Sequence, residues 1–340
     1  MHEDDLGRMS KAGSHSIGAQ AMKLVSMAIN PVPSGAEIVP VTGYDGTQLR
    51  SALWKPTRGP ARGTMCIFPG RGEWIEKYFE VIADLRRRGF AVAILDWRGQ
   101  GGSERRLSNP RKGHVVGFTE YDRDLAIFMN DVVLPALPGP YIALAHSMGG
   151  NILLRNAQAE DSWFERMILT APMIQIHEAM IGRRRKLARA YAELAGTFGL
   201  ATAYVQGGDD TPEELLDFEG NDLTSDTVRW DRNKAVLETA PELGLGSPTV
   251  GWLKSALRSC EMLQRPDYPH SITVPMLLFA AGADQIVTPR SIEDFAVDLK
   301  IGGHILMPGS RHEILQENDA IRQRFWAAFD AYMSVAIPAA

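Results

Sequence analysis

Residues 141–155 read YIALAHSMGGNILLR. Tyr141 to Ala145 is a short apolar run with the length and composition of a buried strand. Asn151 to Arg155 has the look of a helix. Between them stands Ser147, with Ala145 two positions before it and Gly149 two after. A strand, a sharp turn and a helix with a hydroxyl at the apex need small neighbours, because bulky side chains at those places collide in a strained turn. The serine oxygen then stands clear of the backbone. The amide of Met148, in the first turn of the helix, points toward any oxyanion formed there. Small-x-Ser-x-Gly also occurs by chance, and alanine at the first small position is less specific than glycine. The flanking strand and helix patterns are what favour a working elbow here.

Strand and helix patterns alternate outward from this turn. Glu37–Thr42 and Gln48–Trp54 alternate around Gly43-Tyr44-Asp45-Gly46, which predicts a β-hairpin. Thr64–Phe68 is a buried strand ending in the glycine-rich Pro69-Gly70-Arg71-Gly72, and Trp74–Arg88 is a helix closed by Gly89. Ala91–Leu95 is a further strand. A second glycine-rich loop follows, Asp96 to Ser103, and then a helix over Phe118–Val133 stopped by Pro135 and Pro138. Arg166–Thr170 is the strand after the elbow. This alternation predicts an α/β fold: a doubly wound, mostly parallel sheet with helices on both faces.

The alternation stops at Met173 and returns with the strand Val274–Ala280, a helix near Ser291–Leu299, a strand His304–Met307 and a last helix Asp319–Met333. About 95 residues of helix-like segments lie between, at Glu178–Phe198, Glu213–Phe218, Arg232–Glu238 and Thr249–Leu263. The expected organisation is a flexible N-terminal arm over 1–35, with one short helix ending at Pro31 and Pro33. The sheet's first part follows over 36–172, a helical lid or cap over 173–270, and the sheet's second part over 271–340.

Bulk properties narrow the function. At 340 residues and 45% apolar the chain can bury a substantial core. Its formal net charge of −5 argues against nucleic acid as the main partner. Cys66 and Cys260 are far apart, and Cys66 lies in a strand-like run, so free thiols and a cytoplasmic setting are expected. His2, Glu3, Asp4 and Asp5 are the wrong opening for a secretory signal, and Ala19–Ile29 is too short and polar to span a bilayer. The eight histidines are scattered and show no metal-ligand spacing.

A serine hydroxyl needs a base, and the base needs an orienting acid. On a doubly wound sheet such partners come from loops at the carboxyl ends of later strands. Asp284 is the first acid after the strand Val274–Ala280, and His312 the first histidine after His304–Met307. Each has a plainer reading: Asp284 as the cap of the helix beginning near Pro289, His312 as a surface residue at a helix start. The order Ser147, Asp284, His312, each at a strand end, favours a catalytic set. Glu313 is a weaker acid candidate, since an adjacent residue points away from the ring. His146 adjoins Ser147 but projects to the opposite side, so it is read as packing beneath the elbow. The second oxyanion donor is expected to be the backbone amide of Arg71, where Gly70 and Gly72 allow close approach; the plainer reading of those glycines is a turn. The loop Asp96–Ser103 lacks the P-loop ending and the dinucleotide spacing, so it is assigned to structure, with Asp96 and Arg98 in buried polar contacts.

Within the insertion, Gly182-Arg183-Arg184-Arg185-Lys186 precedes an apolar stripe at Leu187, Tyr191, Leu194 and Phe198. A basic amphipathic helix can lie on an anionic membrane, although a solvated face over a core is commoner. The Met, Leu, Trp and Tyr of the insertion suit a greasy substrate channel.

Six segments then fall into a familiar order: PGRGEWIEKY (69–78), DWRGQGGSER (96–105), KGHVVGFTEYDRDL (112–125), LAHSMGG (144–150), LTAPM (169–173) and GSRHEILQE (309–317). Together they resemble the bacterial lysophospholipases, in the monoacylglycerol-lipase-like branch of the α/β-hydrolases. The likeness runs from about residue 37 to 333 and is weakest in the insertion, Gly246–Thr249 apart. It implies a lid in the insertion, Ser147, Asp284 and His312 as triad, and oxyanion amides on Arg71 and Met148. Relatives often carry His-Gly where this chain has Pro69-Gly70, a departure that touches the support of the oxyanion loop and not its amide. The resemblance implies hydrolysis of the carboxylic ester of a single-chain lipid, a lysophospholipid or a monoacylglycerol, with no cofactor; peripheral contact of the lid with the inner face of a membrane is left open. A general carboxylesterase or thioesterase, a hydrolase of a peptide's N-terminal residue and a non-catalytic ligand-binding scaffold remain open. So does the oligomeric state.

Overall fold

A computed structural model describes residues 23–57, 59–158, 162–181, 191 and 199–334. Eight strands form one sheet: β1 (Glu37–Thr42), β2 (Gln48–Trp54), β3 (Thr64–Phe68), β4 (Ala91–Leu95), β5 (Tyr141–His146), β6 (Arg166–Thr170), β7 (Met276–Ala281) and β8 (Gly302–Met307). Their order across the sheet is β1-β2-β4-β3-β5-β6-β7-β8. The hairpin β1–β2 and the pair β2–β4 are antiparallel; every other pair is parallel. Strands β3, β4 and β7 are buried at every position, as strands covered on both faces must be. The edge strand β8 alternates instead.

Two apolar layers cover the sheet. One gathers Phe68, Trp97, Phe128, Leu153 and Phe164. The other gathers Trp54, Tyr78, Phe90, Phe325 and Phe329. Cys66 and Cys260 are both buried. The parallel strands all end at the same rim, and that rim carries the loops after β3, β5, β7 and β8.

Several expected elements differ in detail. The segment Trp74–Arg88 opens with a 3₁₀ turn, Ile75–Tyr78, and becomes α-helical only over Phe79–Arg87. The expected helix Phe118–Val133 is α-helical over Thr119–Ile127, widens to a π turn over Phe128–Val133, and continues through Leu134–Ala136. Pro135 therefore sits inside the helical run and does not stop it. A wider turn ahead of a residue with no N–H relieves its conflict with the hydrogen-bond ladder. The helix expected at Arg232–Glu238 begins earlier, at Thr227, because the Asp226 carboxylate accepts from the Arg229 amide as an N-cap (2.7 Å).

The expected loose arm over 1–35 is corrected for residues 23–35. Residues 1–22 lie outside the described residues. Leu24 and Val32 pack on the core, and Asn30 is buried and donates to the Glu76 carbonyl (3.0 Å). The Lys23 carbonyl accepts from Arg50, whose guanidinium also pairs with Glu76 and Asp96. No helix forms over 23–35; Met27 and Asn30 close a tight bridge instead. The polar surroundings of Arg50 hold this stretch, which apolar patterning does not reveal.

Between β6 and β7 the described residues contain helices, the longest Thr227–Thr239 and Val250–Leu263, and only isolated bridges. Of the basic amphipathic segment, 182–190 and 192–198 lie outside the described residues.

Candidate active site

The turn after β5 is strained as its sequence requires. Ser147 has φ +49°, a left-handed conformation that non-glycine residues seldom adopt. Backbone hydrogen bonds over-determine it. Its amide donates to Thr170 (3.0 Å), and its carbonyl accepts from Asn151 (3.1 Å) and Met173 (2.9 Å). Gly149 is required for packing: a Cβ there would lie 2.2 Å from the Phe68 carbonyl oxygen and 2.7 Å from that of Pro69.

The three side chains converge. Ser147 Oγ lies 2.9 Å from His312 Nε2, and His312 Nδ1 lies 2.7 Å from Asp284 Oδ2. All three are buried. The carboxylate fixes the tautomer: Nδ1–H donates to Asp284, which leaves Nε2 free to accept from the serine hydroxyl. Asp284 Oδ1 accepts the amides of Ile286 (2.8 Å) and Val287 (2.9 Å). Burial works to raise the Asp284 pKa, but the His312 charge and these hydrogen bonds together lower it. Burial likewise opposes a charged His312, yet the Asp284 carboxylate raises its pKa above the usual histidine value.

The insertion holds the histidine loop in place. The amides of His312 and Glu313 donate to the carbonyls of Asp222 (3.3 Å) and Leu223 (2.8 Å). Arg311 Nη1 adds a bond to the Thr224 carbonyl (2.9 Å).

Arg71 lies in the loop after β3, and Met148 opens the helix Met148–Arg155. Among the described residues neither backbone amide donates to a protein acceptor. Gln100 braces the Arg71 loop: its amide nitrogen donates to Gly70 O (2.7 Å) and its oxygen accepts from Gly72 N (3.2 Å). Trp97 Nε1 holds Pro69 O (2.9 Å). Asp96 and Arg98 make the buried contacts expected of them, with Arg50 and Asp124. Gln100 was not legible as a support, because nothing local distinguishes it from any other loop glutamine.

His146 packs under the elbow, its ring 4.7 Å from that of His312 and its Nδ1 on Thr170 O (3.1 Å). Burial pushes its pKa down to about 4, against the opposing charge of Glu73. Beneath both rings lies a charge cluster that the sequence reading missed. Lys77 Nζ meets Glu313 (2.5 Å), Glu214 (2.9 Å) and Glu73 (3.6 Å), all buried. Glu313 thus turns to Lys77 and away from the triad. The one available signal was the spacing of Glu73 and Lys77, opposite charges four apart. Glu73, His146 and Glu313 stand within metal-ligating reach of one another, but the Lys77 ammonium already supplies the positive charge there.

The triad opens into a cavity of about 650 Å³. Its walls are mostly apolar, with Met173, Ile176, Val205, Leu223 and Trp252 among them; Arg71, Glu73, Glu213 and Glu313 are charged exceptions.

The family model described as serine aminopeptidase, S33, matches residues 59–319. This chain belongs to that family. Within it, lysophospholipase L2 of Escherichia coli K12 is 30% identical over 292 residues, covering 83% of this chain and 82% of that protein. A monoacylglycerol lipase of Mycolicibacterium smegmatis is 22% identical over 278 residues, covering 81% and 89%. Among solved structures, a soluble variant of the Saccharomyces cerevisiae monoglyceride lipase in complex with a substrate analogue superposes with a TM-score of 0.70. Its identity is 21%, and the match covers 89% of this chain and 97% of that one. That likeness shows the α/β-hydrolase fold, and the eight-stranded sheet of this chain is mostly parallel. Among the described residues no helix is long and apolar enough to cross a membrane.

Proposed function

We propose that the chain is a serine hydrolase that cleaves the carboxylic ester of single-chain lipids through an acyl-enzyme on Ser147. The observation that carries this is the Ser147–His312–Asp284 relay, at 2.9 and 2.7 Å, opening into a largely apolar cavity. The kinship with a lysophospholipase and a monoacylglycerol lipase supports the same substrate class.

In this reading Ser147 Oγ attacks the ester carbonyl while His312 Nε2 takes its proton. The amides of Arg71 and Met148 receive the oxyanion; losing one such donor typically costs about 3 kcal/mol of barrier. The tetrahedral species collapses, the ester C–O bond breaks, and His312 returns the proton to the departing glycerol oxygen. Water then enters, gives a proton to His312 and attacks the acyl-enzyme; release of the fatty acid restores Ser147. Asp284 holds the tautomer throughout. Residues 173–270 act as the lid on the hydrolase core of 36–172 and 271–340. Exposed Met180, Tyr191 and Leu200 on the insertion support peripheral contact with a lipid surface, from the cytoplasmic side.

The test is turnover of a panel: palmitoyl lysophospholipids, monopalmitoylglycerol, p-nitrophenyl acetate and butyrate, a thioester and aminoacyl p-nitroanilides. The long-chain single-chain lipids are turned over fastest, and Ser147→Ala abolishes the activity. Turnover confined to acetyl and butyryl esters refutes the lipid reading. Turnover confined to the anilides transfers the site to the peptidase chemistry in the family's description.

A further inference from the structure

Arg71 is half-buried at the cavity wall and differs from the arginines that carboxylates hold. Arg50 is locked by Glu76 and Asp96, Arg98 by Asp124 and Asp45, and Arg322 by Asp84. The Arg71 guanidinium lies over the Trp252 ring (5.2 Å) and spends Nη2 on the Gly246 carbonyl (2.7 Å). Among the described residues it pairs with no carboxylate, and its Nε is enclosed without any hydrogen-bond partner. Withdrawing an uncompensated cation even partly from water is costly, and the enclosed Nε without a partner adds to that cost. Such an expense at the wall of a cavity shared with Ser147 and His312 points to a ligand that supplies the missing anion.

We propose that the Arg71 guanidinium is the headgroup site of this cavity and binds the phosphodiester of a single-chain phospholipid. The inference rests on the lipid-ester reading above and deepens it. The same residue offers its amide to the ester oxygen and its side chain to the group beyond the glycerol. Guanidinium donors match phosphate oxygens, and Nη1, which has no protein acceptor among the described residues, is the one left open to the cavity. The acids of the cavity do not annul this charge. Glu73 and Glu313 are held by Lys77. Glu213 makes no ion pair among the described residues, and burial together with Glu214 raises its pKa, which weakens its repulsion of an anion. Burial lowers the Arg71 pKa only to about 10, so the side chain stays charged at neutral pH.

The experiment compares kcat/KM for palmitoyl lysophosphatidylglycerol and monopalmitoylglycerol, which share the acyl chain and differ by the phosphodiester. Rates are counted per site labelled by a fluorophosphonate. Arg71→Gln lowers the ratio of the two by about tenfold or more, the value of a charged hydrogen-bonded pair; Arg71→Lys restores part of it. Taking the ratio removes any loss common to both substrates through the oxyanion loop. A measurement on the wild type guards against a misfolded variant: decyl phosphate inhibits monopalmitoylglycerol hydrolysis more strongly than decanol does, and inorganic phosphate at the same concentration does not inhibit. A ratio unmoved in Arg71→Gln, or equal inhibition by decyl phosphate and decanol, overturns the headgroup site while leaving the lipid-ester reading intact. Inhibition by inorganic phosphate equal to that by decyl phosphate overturns the lipid assignment of the anion. A wild type that turns over neither ester overturns both readings.

Discussion

Asp284→Asn separates the two jobs given to that carboxylate. Asp284 Oδ1 accepts the amides of Ile286 and Val287, at 2.8 and 2.9 Å. An asparagine must keep its carbonyl oxygen there, because an NH₂ group would face two donors. Its NH₂ therefore lands where Oδ2 stood, 2.7 Å from His312 Nδ1. Nδ1 must then accept, the proton moves to Nε2, and Nε2 can no longer take the proton of Ser147 Oγ. A wrong tautomer in such a triad costs about 10,000-fold in kcat, or about 5 kcal/mol of barrier. The pH profile moves as well. Catalysis needs a neutral His312, so in the wild type its raised pKa sets the acid limb above the ordinary histidine value. Without the carboxylate, burial is left opposing the charge, and the limb shifts to lower pH. The assay is kcat against pH on a monoacylglycerol, with thermal melting to show that the fold is retained. A folded Asp284→Asn within tenfold of wild type, or an acid limb that does not move down, refutes the reasoning.

Two further substitutions probe the elbow. Gly149→Ala drives a methyl into the carbonyls of Phe68 and Pro69, which belong to the strand end and loop that carry the Arg71 amide. It should cost about 1–3 kcal/mol of stability and lower kcat with little change in KM; unchanged kcat per folded molecule in urea-calibrated samples would count against it. His146 gives a separate pH signature in stability. Its pKa is 6.5 when unfolded and about 4 when buried, so between those values the unfolded chain binds the extra proton and stability falls as pH falls. The full span is worth up to about 3 kcal/mol. His312 has the opposite sign: its stabilisation is fully present below pH 6.5 and is lost as pH rises through its raised folded value. Asp284 and Glu80, both lowered, lose their contributions only as pH falls below about their unfolded values near 4. His146→Gln should therefore flatten the urea-derived stability slope between pH 6.5 and 4.5, and an unaltered slope there would sink that assignment.

What the sequence disclosed was what is local. The elbow is written in consecutive residues, since strand, turn and helix each need a particular size at a particular place. The order Ser147, Asp284, His312 was legible because a parallel sheet delivers successive strand ends to one rim. Contacts between distant segments were not. Nothing around Asp222 or Leu223 announces that their carbonyls hold the backbone of His312 and Glu313. Lys77 reads as a helix-surface residue, yet it is buried among carboxylates from three separate stretches of chain. Residues 23–35 read as a flexible arm because their anchor is the Arg50–Glu76 pair, a tertiary ion pair that local patterning does not encode. Pro135 reads as a helix stop because a π turn, which accommodates it, leaves no mark in composition.

The most direct measurement is the site of covalent capture by a fluorophosphonate, read by intact mass and peptide mapping. Activation of Ser147 by His312 predicts one adduct per chain, on Ser147, with capture strongly slowed in His312→Ala. An unlabelled wild type, or an adduct on any other residue, would contradict the account at its root.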